Sequence, residues 1–535
     1  MVKRFIASLK NEFKGYNASK LLKDLMAGLT VCAVALPLAL AFGVSSGATA
    51  AAGMVTAIIA GIVIGFFSGA SFQISGPTGA MSAVLIAIVF QYGIQGMFVA
   101  CFISGIILLL CGVFKLGKLI SFIPSSVVMG FTSGIAIVIA LGQIDNFFGT
   151  HSEGLTAVEK LLSYGKLGFI PQLNAVIIGI LVMVIMIVWP KKWNAKVPSS
   201  LIGIIVATVV SIVFNMDVVR VGEIPKTLLL DERLNLGAIN FEMIQGLISP
   251  IITIAALAMI ESLMCGASAS RMKSEKFDAD TELLAQGIGN IVIPFFGGVP
   301  ATAAIARTSV AIKSGQQTRL TGIFHSVFLL ASMFLLGGVM AKIPLSALAG
   351  VLMMTAWRMN EWDGIKFIFK HKFGTAISQF LITMIATVVL DLMWAIIIGV
   401  IYSAIIFMVS SSKLKIEKSE FTPSKDVSVK VITIVGSLFF GAVNEFNKAF
   451  EDVSENEKIL ISLSGVTNMD VSGASAFVEL CEALHSKGVE ISICGVQENV
   501  KTMLHRAGAT EIVGDNIFNS ADDAFESLMK AQISA

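Results

Sequence analysis

The chain has 535 residues, of which 55% are hydrophobic and only 14% are charged. This composition excludes an ordinary globular domain and indicates that most of the chain lies in a lipid bilayer. The net charge is +2 and the basic residues form no continuous tract, so we expect no nucleic-acid partner.

Residues 1–20 are predicted to form a cytoplasmic segment that lies on the membrane surface. Val2, Ile6, Leu9 and Phe13 recur at helical spacing among basic residues. This pattern is typical of an amphipathic helix in contact with membrane lipid. The segment has no compact apolar core followed by a small-residue cleavage site, so it does not predict a signal peptide.

Residues 21–410 are predicted to form the transmembrane domain. A spanning helix needs roughly 20 apolar residues, or fewer where it is broken, and on this rule we count about fourteen spans. The spans run approximately over Leu25–Gly43, Ala50–Phe67, Gly76–Phe90, Met97–Phe114, Pro124–Leu141, Leu173–Val188, Leu201–Phe214, Ile248–Gly266, Leu283–Phe296, Ala301–Val310, Gly322–Val339, Pro344–Trp357, Gly374–Leu390 and Met393–Val409.

Basic residues in the loops predict the orientation, because Lys and Arg collect on the cytoplasmic side. With the amino terminus inside, they concentrate in the even-numbered loops, at Lys115, Lys118, Lys191, Lys192, Lys196, Arg271, Lys273, Lys276, Lys313, Arg319, Arg358, Lys366, Lys370 and Lys372. We therefore expect a multi-pass protein of the inner (cytoplasmic) membrane with both ends in the cytoplasm.

The composition changes after Val409. Residues 411–426 are polar and basic and predict a linker, and residues 427–535 have the composition of a soluble domain. There the strand patterns VSVKVITIVG, KILISLSG and GVEISICG alternate with helical patterns. Such alternation predicts a small α/β layer with a mostly parallel sheet.

Two sequence patterns each occur twice in the membrane domain, at nearly the same offset. The pattern Ile-Pro-x-Ser-x-x-x-Gly begins at Ile123 and again at Ile343, an offset of 220 residues. SGPTGAMSA around Pro77 and GVPATAAIA around Pro300 have nearly the same offset, 223 residues. A repeat of seven spans is odd-numbered, so its second copy is inverted in the membrane. The fold predicted is thus a 7+7 inverted repeat, unless the matches arise by chance among residues common in membrane helices.

The second repeat also predicts the binding site. Paired short segments interrupted by Gly and Pro indicate half-helices whose amino ends point at a transported ligand. Such ends offer unpaired N–H groups and about half a positive charge, which suits an anion. The predicted donors are the amides of Thr78, Gly79, Ala80, Ala301, Thr302 and Ala303. The two threonine hydroxyls could instead bond to their own helices.

Two charged residues interrupt the apolar segments. Arg307 follows Pro300 by seven residues, roughly 10 Å along a helix, so we expect it to make the cavity positive without touching the anion. The alternative is that it extends into the inner headgroups. Glu261 must be paired, protonated or bound to a cation. We expect it to carry the coupling ion, H⁺ or Na⁺, with a structural pair to Arg307 as the alternative.

The sequence does not predict an enzyme. It contains no set of nucleophile, base and orienting residue, no cluster of metal ligands and no phosphate-binding loop. We therefore expect no catalytic residues and no cofactor or metal other than Na⁺ as a coupling ion. The six cysteines have no metal-ligand spacing and are interpreted as small buried hydrophobic residues.

The chain resembles the sulfate permease (SulP) anion transporters. The resemblance rests on LPLALAFG, ISGPTGAMSA and ELLAQGIGNIVIPFFGGVPATAAIARTS, followed by a carboxy-terminal STAS domain. It implies a core and a gate domain, with the anion between spans one, three, eight and ten, and a homodimer. It further implies sulfate, bicarbonate or a C4-dicarboxylate as the substrate, carried with Na⁺ or H⁺.

Three residues depart from the family pattern. Leu38 stands where many members have Gln, and Ala306 where many have Ser. Glu261 matches the acidic residue of the cation site in the bicarbonate carriers, but Cys265 replaces the threonine one turn later. This last departure favours H⁺ over Na⁺.

In the STAS domain, NMDVSGAS resembles the Asp-x-Ser-Gly of anti-anti-sigma factors. Ser472 matches their phosphorylated serine, so it is a candidate regulatory phosphosite, and the domain is a candidate site for a cytoplasmic partner. The alternative is that Ser472 caps the following helix. For the whole chain, a coupled transporter is predicted, with an uncoupled channel or exchanger and a membrane sensor that signals through STAS as alternatives.

Overall fold

The computed structural model describes residues 2–118, 123–154, 157–190, 193, 197–390, 392–424 and 427–533. The chain forms two compact units, Met1–Val400 and Ile401–Ala535. Lys191, Lys192 and Lys196, which the predicted orientation uses, lie outside the described residues.

The first unit is helical apart from two very short strands. Its elements are α1 Val2–Glu12, α2 Ala18–Ser45, α3 Ala50–Phe67, β1 Ser75–Gly76, α4 Gly79–Val113, α5 Ser125–Gly142, α6 Ile144–Phe148, α7 Ala157–Leu167, α8 Leu173–Val188, α9 Ser199–Val213, α10 Phe241–Lys273, α11 Ala279–Val292, β2 Thr302–Ala303, α12 Ile305–Lys313, α13 Leu320–Met340, α14 Leu345–Met359, α15 Trp362–Lys370, α16 Gly374–Val389 and α17 Leu392–Ser411, the last of which continues into the second unit. Gly93, with φ 69° and ψ −179°, divides α4 into two helical parts.

Seven of the described helices are long and apolar enough to cross a membrane by themselves, and four further apolar helices are shorter. The count of about fourteen spans therefore remains a prediction. Side chains at the N-caps fix several helix starts: Asn17, Thr49, Asn240 and Asp278 each accept a bond from a first-turn amide.

The helices of the first unit pack into two bundles. The first contains α2, α3, α4, α10, α11, α12 and α13, and the second contains α5, α8, α9, α14 and α16. The bundles meet where α4 packs on α5 and where α14 packs on α2.

The first predicted repeat is visible in the packing. Pro124 and Pro344 occupy the N-cap positions of α5 and α14. A Cβ at Gly130 would lie 2.4 Å from the carbonyl oxygen of Phe380 in α16, and one at Gly350 would lie 2.8 Å from that of Gly179 in α8. Each repeat helix thus uses its glycine to approach a helix of the other repeat.

The amino-terminal segment is helical as predicted, and it docks on protein. Glu12 forms an ion pair of 2.8 Å with Arg319, and the ring of Phe5 packs on Phe66 and Phe67. Tyr16 donates to Asp24, and burial, followed by this bond, raises the pKa of Tyr16 to about 12. We call this side of the first unit the α1 face.

The second unit contains a five-stranded sheet in the order β3-β4-β5-β6-β7. Its elements are β3 Lys415–Ser424, β4 Val427–Leu438, α18 Val443–Lys448, β5 Lys458–Met469, α19 Val471–Ser486, β6 Glu490–Cys494, α20 Glu498–Arg506, α21 Ala509–Val513, β7 Ile517–Phe518 and α22 Ala521–Ile533. The strands β4 to β7 are parallel, as predicted, and β3 is antiparallel to β4.

The predicted linker 411–426 is wrong. Lys415–Ser424 forms an edge strand whose backbone pairs with β4 over most of its length. The charged side chains that suggested a linker belong on such an edge, where they discourage pairing with further strands. The six cysteines are unpaired, and all are buried except Cys111, which is half-buried.

Candidate functional site

A cavity of about 350 Å³ lies between the two bundles. The first bundle contributes α2, α10 and the amino ends of α4 and α12, and the second contributes α5 and α14. At one end the cavity reaches Arg358, in the last turn of α14, and Glu361, which follows that helix; both residues are exposed. We assign this end to the α1 face, because α13 begins beside Glu12 and the short connection 341–344 turns the chain back into α14.

Two strands cross beside this cavity and set the starts of both half-helices. Ser75 pairs with Ala303 and Gly76 pairs with Thr302, antiparallel. Each chain then turns into a helix, α4 after Thr78 and α12 after Ala304, with neither N-cap closed by its own side chain. The two half-helices therefore diverge from one crossing with their amino ends close together.

The amino ends carry free backbone donors. Among the residues described, the amides of Gly79 and Ala80 in α4 and of Ile305 and Ala306 in α12 have no hydrogen-bond acceptor. All four residues line the cavity. Unpaired first-turn amides and the positive end of the helix dipole together form an anion site.

The predicted second donor set is three to four residues too early. Ala301, Thr302 and Ala303 do not begin a helix: the last two form β2, and α12 starts at Ile305. The amide of Ala301 donates to Oδ1 of Asn290 (2.8 Å), and that of Ala303 donates to Oγ of Ser262 (3.2 Å). These two amides are already satisfied. Of the three residues, Ala303 alone lines the cavity.

The first predicted donor set has the expected place. Gly79 and Ala80 begin α4, and Thr78 is its N-cap residue. The offset between the two repeats explains why the second donor set is displaced along the chain and the first is not. The half-helices start at Gly79 and Ile305, 226 residues apart, so Pro77 and Pro300 are not equivalent.

Arg307 lies in the first turn of α12 and not two turns along it. Its side chain is only 1% exposed, and Nη2 donates to the carbonyl of Pro77 at 3.0 Å. Among the described residues, Nη1 has no hydrogen-bond partner, and a Cβ at Gly76 would lie 2.5 Å from it. The alternative, that Arg307 extends into the inner headgroups, is therefore wrong, and its charge lies beside the amino ends of both half-helices.

Glu261 extends from α10 into the same cavity and is half-buried. Its Oε2 accepts a hydrogen bond of 2.9 Å from Oγ1 of Thr78. Glu261 and Arg307, both in the described part of the chain, form no ion pair. The carboxylate is thus accessible and is connected to the anion site through one threonine.

Sequence reasoning missed the residues that support the crossing. Oγ of Ser262 lies 2.8 Å from Oγ1 of Thr302, and Asn290 bonds both backbone groups of Ala301. Glu282 is fully buried and accepts from Ser68 and Gln286. Glu282, Gln286 and Asn290 are spaced four residues apart, so they lie on one face of α11. This spacing was the signal available in the sequence.

The three residues that depart from the family pattern lie near the cavity. Leu38 and Ala306 line it, and neither offers a polar side chain. The thiol of Cys265 donates to Oγ1 of Thr308 at 3.4 Å and is buried. Cys265 therefore lies against Thr308 of α12. It gives Glu261 no second oxygen ligand from this position.

A matched pair of substitutions tests the corrected assignment. Ala303→Leu is expected to block the cavity and weaken anion binding about tenfold or more, because residue 303 is buried and lines the cavity together with Ile305 and Ala306. Thr302→Ala removes the bond to Ser262 and a longer one to the carbonyl of Ala258, and neither group lines the cavity. We therefore expect a modest loss of stability, about 1 kcal/mol, and nearly unchanged affinity. Isothermal titration of anion into each purified variant measures the two affinities. Unchanged affinity in Ala303→Leu, with loss in Thr302→Ala, would contradict the assignment.

Ser472 does not cap its helix. The N-cap residue of α19 is Asp470, whose Oδ1 accepts from the amide of Gly473 at 2.8 Å. Ser472 occupies the first turn and is exposed to solvent. The capping interpretation is therefore wrong, and phosphorylation of Ser472 stays a prediction.

Comparison with known proteins agrees with this arrangement. Residues 21–386 match the profile of the sulfate permease family, and residues 422–524 match the STAS domain. The putative sulfate transporter YvdB of Bacillus subtilis is 34% identical over 527 residues, which cover 95% of this chain and 97% of that protein. The chain belongs to the sulfate permease family.

Solved structures of two other transporters share the fold. The murine Slc26a9 anion transporter in its inward-facing state superposes with a TM-score of 0.85 at 16% identity, over 96% of this chain and 92% of that one. The transmembrane domain of the cyanobacterial bicarbonate transporter BicA gives a TM-score of 0.64 at 26% identity, over 73% of this chain and 98% of that one. This sulfate permease family member is therefore an anion transporter with a carboxy-terminal STAS domain, and it is not an enzyme.

Proposed function

We propose that the chain is a secondary active transporter that carries an anion together with H⁺ or Na⁺. One observation carries the proposal: free helix amides and an accessible carboxylate, Glu261, line a single cavity. The amides favour an anion, and the carboxylate favours a proton or a cation. A channel or an uncoupled exchanger has no use for the second group.

Electrostatics links the two ligands. A charged Glu261 repels an anion at the ends of α4 and α12, and this repulsion is strong where little water screens it. A proton or a Na⁺ ion on the carboxylate removes the repulsion. Anion and cation therefore raise each other's affinity, as thermodynamic linkage requires.

Thr78 connects the two sites. Its hydroxyl donates to Glu261 while its backbone caps the helix that presents Gly79 and Ala80. When the carboxylate is neutralised, this hydrogen bond weakens and the hydroxyl becomes available to the anion. The step needs no movement larger than a rotation of one side chain.

The candidate substrates are sulfate, bicarbonate and C4-dicarboxylates. The cavity is large enough for a small anion with hydration water. The names of YvdB and BicA support sulfate and bicarbonate, and the substrate class itself is part of the proposal.

Uptake of labelled sulfate, bicarbonate and succinate into proteoliposomes tests the function. We expect one of these anions to accumulate inside the vesicles against its own gradient when an inward gradient of H⁺ or Na⁺ is imposed. Accumulation should stop when the H⁺ or Na⁺ gradient is collapsed. Uptake that only equilibrates, whatever the gradient, would indicate an uncoupled channel or exchanger. Binding without any uptake would indicate a sensor.

We further propose a homodimer in the cytoplasmic membrane with both chain ends in the cytoplasm, so that the cavity in this structure faces inward. The STAS domain is then exposed to cytoplasmic partners, and an exposed Ser472 is available for phosphorylation. Cross-linking in native membranes, with cysteine labelling of each face, tests the dimer and the orientation.

Removal of the STAS domain is expected to leave anion binding intact. Every residue assigned to the cavity precedes α17, and the two units are separately compact. A chain that ends at Ser411 should therefore bind anion with an affinity within about threefold of the full chain, even if its yield falls. Titration of the monodisperse truncated protein checks this. A folded truncation that binds no anion would show that the STAS domain completes the site.

A further inference from the structure

A second cavity, of about 50 Å³, lies between α4 and α5. It shares Gly79 and Ile139 with the main cavity. From Gly79 it follows α4 to Ile86, about 10 Å along the helix. It therefore begins at the proposed anion site and runs away from the mouth on the α1 face.

The walls of the smaller cavity come from different bundles. α4 contributes Ser82 and Ile86, and α5 contributes Val138 and Gln143. The contact between α4 and α5 is one of the contacts at which the two bundles meet. Separation of the bundles at this contact would widen the narrow cavity into a continuous passage.

A lysine closes the far end. Lys160, on α7, lines the smaller cavity together with Ser45 and Gln143. Its side chain is half-buried and, within the described part of the chain, has no hydrogen-bond or ion-pair partner. A positive charge at the end of a largely apolar cleft attracts anions and raises their local concentration, because little water screens it there.

We propose that this cleft is the closed half of the transport path and that Lys160 recruits the anion at its outer end, on the face opposite the α1 face. The inference rests on the proposed transport function. It places a basic residue at each end of the path, since Arg358, whose Nη2 donates to the carbonyl of Met186, lines the open mouth. The ligand class is the same small anion, met before it reaches the helix amides.

Lys160→Gln tests the proposal in proteoliposomes that exchange internal for external anion. The apparent KM for anion on the face opposite α1 is expected to rise about three- to tenfold at low ionic strength, with the maximal rate little changed. The effect should shrink at high salt, because screening reduces long-range attraction. Lys166→Gln, an exposed lysine of the same helix, is the matched control and should leave KM unchanged.

Lys160→Cys adds a test of charge. An impermeant cationic methanethiosulfonate should restore a low KM, and an anionic one should raise it further. Wild-type protein, whose cysteines are buried or half-buried, is the reagent control. Adding the reagents from each side in turn identifies the face.

The outcomes separate this inference from the proposed function. Wild-type protein that exchanges no tested anion would overturn the transport function itself. Exchange in wild-type with an unchanged KM in Lys160→Gln at every ionic strength would overturn the role of Lys160 alone. Equal effects of Lys160→Gln and Lys166→Gln would assign them to general surface charge and would also overturn it.

Discussion

Glu261→Gln is expected to bind anion and to exchange anion for anion, yet to fail to concentrate it. The substitution removes the ionisable group at nearly constant shape, and the new amide oxygen can still accept the hydrogen bond from Thr78. The free amides of Gly79 and Ala80 are untouched. For electroneutral symport of one proton, one pH unit drives about tenfold accumulation, and the variant should show none.

Two controls define the result for Glu261. Glu242→Gln changes an exposed carboxylate in the first turn of the same helix and should accumulate anion like wild-type. Thr78→Ser keeps the hydroxyl and should retain coupling, while Thr78→Val should weaken it. Accumulation at the wild-type level by Glu261→Gln would remove the coupling role and leave Glu261 a structural residue.

Arg307→Met is expected to weaken anion binding more than any other change in the cavity. It removes the buried positive charge beside the amino ends of both half-helices and leaves the carbonyl of Pro77 without its donor. A hydrogen bond to a charged group contributes about 1.5–3 kcal/mol, which corresponds to roughly 10- to 150-fold in affinity. Arg307→Lys keeps the charge but not the planar fork and should give an intermediate loss.

The control for Arg307 must separate affinity from folding. Arg271→Met removes an exposed charge from α10 and should leave the anion affinity unchanged. Thermal unfolding of each variant shows whether the crossing of β1 and β2 survives. If Arg307→Met bound anion like wild-type with an unchanged melting temperature, the guanidinium would have no part in the site.

Local signals in the sequence predicted about half of the candidate site. Pro124 and Pro344 mark helix starts because proline suits the position before or at the first turn. The Gly/Pro interruption before Thr78 likewise predicted the start of α4 and its free amides. Glu261 could be found because a carboxylate in an apolar segment requires a partner.

The rest depends on contacts between distant parts of the chain. Pro300 suggested a helix start, but Thr302 and Ala303 pair with β1, and a strand of two residues has no periodicity to detect. This error of register also misplaced Arg307 by about a turn and a half. Glu282 is satisfied by Ser68, which is 214 residues away in sequence.

The most direct test of the coupled site is anion binding to purified wild-type protein, measured by titration calorimetry as pH and Na⁺ are varied separately. Because the anion and the cation at Glu261 neutralise each other in one cavity, the affinity for the transported anion should rise as pH falls or as Na⁺ is added. The Glu261→Gln variant should show a constant affinity throughout. An anion affinity in wild-type that is independent of both pH and Na⁺ would contradict the coupled site.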